Sequence, residues 1–144
     1  MEKIDKLRKQ QLKTLKAQQG YGKSERYYVY LVHHADTGFY YYGCKSTNHR
    51  PEQDNYWGSG VLLWNLYRMQ GYNSTKDGKP EGWSKHIIKE FTIFKDALRY
   101  EKSLIKADSE NGFCLNLSEA HPSRWGTRCA WFEKEFEKYL NSKS

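Results

Sequence analysis

The sequence predicts an α+β fold: a small antiparallel three-stranded sheet flanked by helices, with helical extensions at both ends. Three observations carry this. Two Tyr- and Val-rich runs flank a short Asp- and Gly-containing turn signal, the pattern of a β-hairpin. A further β-compatible run, Lys85 to Phe94, follows a stretch with helical periodicity. A hairpin alone is marginal in water, so this third strand has to pair with it.

Taken in order, residues 2–18 form a polar, basic helix with a thin stripe of Ile4, Leu7, Leu12 and Leu15, ended by Gly20 and Gly22. A solvated arm and a DNA-contacting helix both remain open for it. The hairpin strands are Tyr27 to His34 and Phe39 to Gly43, around Ala35-Asp36-Thr37-Gly38. Residues 44–58 are polar and carry Pro51 and Gly58, so they read as a loop or at most a short helix. Ser59 is placed to cap a helix from about Val61 to Gln70, which Gly71 stops. After a loop at 73–83 come the third strand and a helix from Lys95 to Ala107, with Ala97, Leu98, Leu104 and Ile105 at helical spacing. Phe113 to Leu117 is a short apolar segment, and a last amphipathic helix runs from about Ala130 to Leu140. The chain thus divides into a basic helix (1–22), a central domain (23–120) and a C-terminal basic and aromatic segment with its helix (121–144).

Composition narrows the function classes. Of 144 residues, 24 are Lys or Arg against 17 Asp or Glu, a formal charge of +7 that suits a polyanionic partner, most simply DNA. The 12 Tyr and 5 Trp cluster, as in a mixed core, a stacking surface or an active site. Cys44, Cys114 and Cys129 form no CxxC pair, and residues 1–16 lack an apolar leader core, so a reducing, cytoplasmic setting is expected. No apolar run approaches the ~18 residues of a membrane span.

The hairpin holds the most specific signal. Tyr28-Val29-Tyr30 and Tyr41-Tyr42-Gly43 stand so that Tyr30 and Tyr41 are eleven residues apart, a spacing that can bring both phenols to one face. Glu101 is a lone acid within an otherwise apolar helical stripe, and Cys114-Leu115-Asn116-Leu117-Ser118 follows it. Asn55-Tyr56-Trp57-Gly58-Ser59-Gly60 precedes the first helix. In their order these blocks, spanning about residues 27–118, resemble the GIY-YIG nuclease family, in particular its small phage and mobile-element members. Tyr28 and Tyr42 depart from the usual Gly and Ile of the two motifs.

That resemblance implies a metal-dependent DNA endonuclease with Tyr30, Tyr41, Glu101 and Asn116 in its active site. Glu101 is then the metal ligand, for one Mg²⁺ (or Mn²⁺) that keeps most of its waters. Tyr30 is expected as the general base and Tyr41 as the group orienting water or phosphate. The family's clamping arginine falls to Arg50, with Lys45 assisting and Arg68 as a further choice; Pro51 disfavours a helical conformation at Arg50. Lys45, His49, Arg50, Arg68, Arg124 and Arg128 are the expected DNA contacts, the last two from the stretch Ser123 to Arg128 that interleaves Arg with Trp125. A homodimer would let two such sites cut two strands.

Other readings stand beside this one. His49 and Cys44 lack a second ligand pair at zinc spacing, and His33 and His34 read as packing or surface residues. A non-catalytic nucleic-acid-binding module of the same fold is the alternative. An aromatic-rich interaction domain explains the tyrosines but not Glu101 and Asn116. The biological settings expected are a phage or mobile-element enzyme, a restriction enzyme, or a repair-type nickase.

Overall fold

The computed structural model describes residues 26–117 and 122–143, with the side chains of 122–125 excepted. The helix expected at 2–18 and the side chain of Arg124 lie outside the described residues. Strand β1 (Arg26–His34) is the centre of a three-stranded sheet, with β2 (Tyr40–Thr47) on one side and β3 (Trp83–Phe91) on the other. Both neighbours run antiparallel to it, so the third strand pairs with the hairpin's first strand. Helices α1 (Val61–Met69), α2 (Phe94–Ala107) and α3 (Pro122–Ser142) cover the sheet, with a single 3₁₀ turn at Pro51–Gln53. The α+β class and the antiparallel three-stranded sheet are as the sequence predicts.

Alternation along β1 divides the core in two. Tyr28, Tyr30 and Val32 face α1 and α3, in a cluster with Leu62, Leu63, Leu66, Phe132 and Phe136. Tyr27 and Val29 face α2, packing on Ala97 with Phe94, Tyr100 and Leu104 around them. Helix α3 is therefore a core element, and Phe132 and Phe136 are fully buried. Outside that cluster's edge, His34 sits among the rings of Trp83, Phe136 and Tyr139, with the Thr37 hydroxyl 2.8 Å from its Nδ1. His34 is thus a packing residue.

Several boundaries differ from expectation. Strand β2 continues through Cys44-Lys45-Ser46-Thr47, where polar composition predicts a loop; those residues pair with Val29 to Arg26. Strand β3 starts at Trp83 and ends at Phe91, and α3 starts at Pro122, eight residues before the apolar periodicity becomes visible. Gly60, not Ser59, is the N-cap of α1, and it makes no side-chain cap bond. The ring of Tyr41 explains this: a Cβ on Gly60 would stand 2.7 Å from it. Arg50 is extended at φ −64°, ψ 136°, as a residue before proline should be.

Candidate active site

The register of the hairpin does what the motif spacing predicts. Val32 pairs with Tyr41, Tyr30 with Gly43 and Tyr28 with Lys45, so all these residues point to one face of the sheet. The Tyr30 and Tyr41 ring centroids are 6.5 Å apart. Gly43 has no side chain because the Tyr30 phenol lies over it, and any Cβ there would overlap the ring. Two glycines then bring the chain back over Tyr41: Gly58, at φ +111°, where a side chain would be strained, and Gly60 against the ring.

Strand β2 is an outer strand, and its free edge is closed by the segment before the last helix. The Leu115 N–H donates to the Tyr40 carbonyl at 2.7 Å. Asn116 then copies a strand: its Oδ1 accepts the Tyr42 N–H and its Nδ2 donates to the Tyr42 carbonyl, both at 2.8 Å. Tyr40 and Tyr42 both donate to Asp108 Oδ2, at 3.0 and 2.6 Å, joining β2 to the C-terminal end of α2. These bonds hold α2 and the 115–117 segment on either side of one strand edge.

Around that edge lies a cavity of ≈ 520 Å³. Tyr41, Glu101 and Asn116 all line it, together with Gly60 and Val61 at the start of α1 and Cys129 of α3. Because β2 is an outer strand, Tyr41 from one face and Glu101 from the helix on the other reach the same space. Burial pushes the Glu101 carboxyl up to about 7, with only a small opposing effect from Lys102. Glu101 also raises the Cys44 thiol, after burial. Among the described residues the one ion pair is Lys138 with Glu135, so Glu101 has no basic partner there.

The remaining expected residues fall in different places. Tyr30 is 1 % exposed, behind Tyr41 and under the edge of Tyr56. Burial and the neighbouring phenols drive its pKa upward, so a general-base role for Tyr30 needs a bound cation close by to lower it. The amide of Asn116 is committed to backbone, which makes it a positioning residue. Arg50 and His49 are exposed beyond the end of β2, and Arg68 is exposed on α1, bonded to Asn65. None of the three lines the cavity. Lys45 lies on the Tyr30 face, its ammonium 4.8 Å from the Tyr56 ring centre, and Arg128 covers Phe132.

The donor set fits a hydrated Mg²⁺ or Mn²⁺. Glu101 is one half-buried carboxylate without a cation, beside a phenol and open space for waters and phosphate oxygens. Among the described residues no group of three His, Cys, Asp or Glu stands together, and Glu101 is the one acid among those that line the cavity. Among those residues, too, no helix is long and apolar enough to cross a membrane. Sequence reasoning missed Lys85, which stands over Tyr28 and Tyr30; only the β1–β3 register reveals it. No protein-family model, curated protein or solved structure matches the chain.

Proposed function

We propose that this chain is a metal-dependent DNA endonuclease of the GIY-YIG type, hydrolysing phosphodiester bonds at the Tyr41–Glu101 cavity. The observation that carries this reading is the meeting of Tyr41, Glu101 and Asn116 in one cavity from three separate segments of the chain. Glu101 holds the divalent ion, and its proton must leave first. When bound, Mg²⁺ or Mn²⁺ supplies a Lewis acid for the phosphate and a water of lowered pKa. Tyr41, which lines the cavity beside Gly60, presents its hydroxyl to the phosphate or the attacking water. Tyr30 supports the Tyr41 ring from behind. The start of α1 favours the anion: Gly60 and Val61 line the cavity, no side chain caps the first turn and no acid occupies it.

Cleavage of supercoiled plasmid by the purified protein in Mg²⁺ tests this. Nicked or linear product should require the metal, fall about 10²–10⁴-fold in Glu101→Ala and fall roughly 10²-fold in Tyr41→Phe. Cleavage that persists undiminished in Glu101→Ala would place the chemistry elsewhere. The second reading, a binding module that keeps the fold, is favoured by the absence of Lys or Arg from the cavity lining among the described residues. Salt-sensitive DNA binding with no cleavage of plasmid or branched DNA in either metal would select it.

A further inference from the structure

On the face of the sheet that carries Tyr30, two lysines are held over aromatic rings. Lys45 of β2 lies over Tyr56, 4.8 Å from the ring centre. Lys85 of β3 lies over Tyr28 and Tyr30, at 4.9 and 5.2 Å. The register explains the convergence, since Lys45 pairs with Tyr28 and Lys85 with Val32, all on one face. Lys85 Nζ also donates to the Tyr28 hydroxyl at 2.8 Å and to the Asp54 carbonyl at 3.1 Å.

Charge does not balance in this cluster. One carboxylate, Asp54, faces two ammonium groups, and its Oδ2 already accepts the Tyr28 hydroxyl at 2.6 Å. Lys85 spends two of its three donors on neutral oxygens, the Tyr28 phenol and a backbone carbonyl. A half-buried cation with no ion pair, beside a second cation, is a poor structural choice unless an anion arrives. The groups facing Lys85 are Tyr28 and Tyr30 of β1, Lys45 of β2 and Asp54 of the loop. We propose that Lys85 and Lys45 together form a phosphate-binding seat, which takes a backbone phosphodiester of DNA next to the one at the Glu101 cavity. The aromatic rings beneath hold the ammonium groups in place, and Tyr28 and Asp54 fix the height of Lys85. Burial brings the Lys85 pKa down to about 8, with Asp54 opposing the shift and Lys45 adding a smaller push in the same direction as burial.

The inference rests on the nuclease reading for its placement, but its test is binding, not cleavage. Duplex DNA affinity is measured in EDTA across a salt series for the full chain, Lys85→Met and Lys85→Arg. Each phosphate contact contributes about 0.9 to the slope of log K against log salt. Lys85→Met should bind about tenfold more weakly at low salt and lose roughly one unit of slope, with Lys85→Arg keeping both. In the unaltered protein the slope should also drop by about one unit between pH 7 and 9, and Lys85→Arg should resist that drop. The pH arm needs no folded Lys85→Met. Tyr28 and Tyr30 stay protonated across this interval because burial raises both.

An unchanged slope in Lys85→Met, or equal pH dependence in the unaltered protein and Lys85→Arg, overturns the proposal. Metal-dependent cleavage with an unchanged slope leaves the nuclease reading standing alone. A lost slope unit in a protein that cuts nothing leaves the phosphate seat and removes the nuclease.

Discussion

At the residue scale, the tyrosines owe their burial to partners without side chains. Tyr30 occupies the space that Gly43 leaves open, and Tyr41 occupies that of Gly60. His34 shows the same dependence in an electrostatic form. Its Nδ1 accepts from the Thr37 N–H, so the neutral ring is the one built into the core. Burial pulls its pKa from 6.5 down to about 4. Between these values the unfolded chain binds a proton that the folded chain refuses, so stability falls as pH drops from 6.5 toward 4. The expected loss is on the order of 3 kcal/mol at most. Glu101, raised by burial to about 7, titrates over the same interval with the opposite sign. Urea unfolding of the unaltered protein and His34→Phe at pH 7 and pH 4.5 therefore isolates the His34 contribution as the difference between their pH dependences. Equal pH dependence in the two proteins would show that His34 is charged when folded.

Elements were legible where their sequence signal was local. The pairing of Tyr30 and Tyr41 follows from period-two alternation across a short turn, and α2 from apolar residues at helical spacing. Strand β2 beyond Gly43 was not legible, because Cys44-Lys45-Ser46-Thr47 is polar and its reason to extend lies in β1. Lys85 looks like a solvent-facing residue of a polar strand until the register sets it beside Tyr28 and Tyr30. Arg50 has the right spacing, yet Pro51 and the extension of β2 carry it past the cavity. Asn116 was found by its position, but its work is to stand in for a strand. Asn116→Ala should therefore leave the Tyr42 N–H and carbonyl without partners and cost about 1–3 kcal/mol. Equilibrium unfolding in urea reads this directly, and cleavage should fall alongside. Stability equal to the unaltered protein would mean that water serves Tyr42 equally well.

For the whole molecule, the proposed chemistry sits in one cavity with one Glu101, which suffices for one strand of a duplex. A time course on supercoiled plasmid should accumulate nicked circles before linear product, with the linear form rising as protein concentration is increased. Linear product from the first time point, at protein concentrations below that of plasmid, would indicate a preassembled pair of sites. The sequence charge of +7 would draw the protein to the proposed DNA substrate without specifying where it settles. The surface that could settle it combines the Lys45–Lys85 seat with the start of α1.

The closure of the β2 edge by Leu115 and Asn116 has a consequence in time. On the ribosome, Tyr41 emerges 75 residues ahead of Asn116. At roughly 5–20 residues per second, the interval lasts about 4 to 15 s. Throughout it, the nascent hairpin carries an unsealed strand edge and half of a cavity. The wall that completes the cavity is synthesised well after the hairpin, so a growing chain acquires its tyrosines early and its closed cavity late.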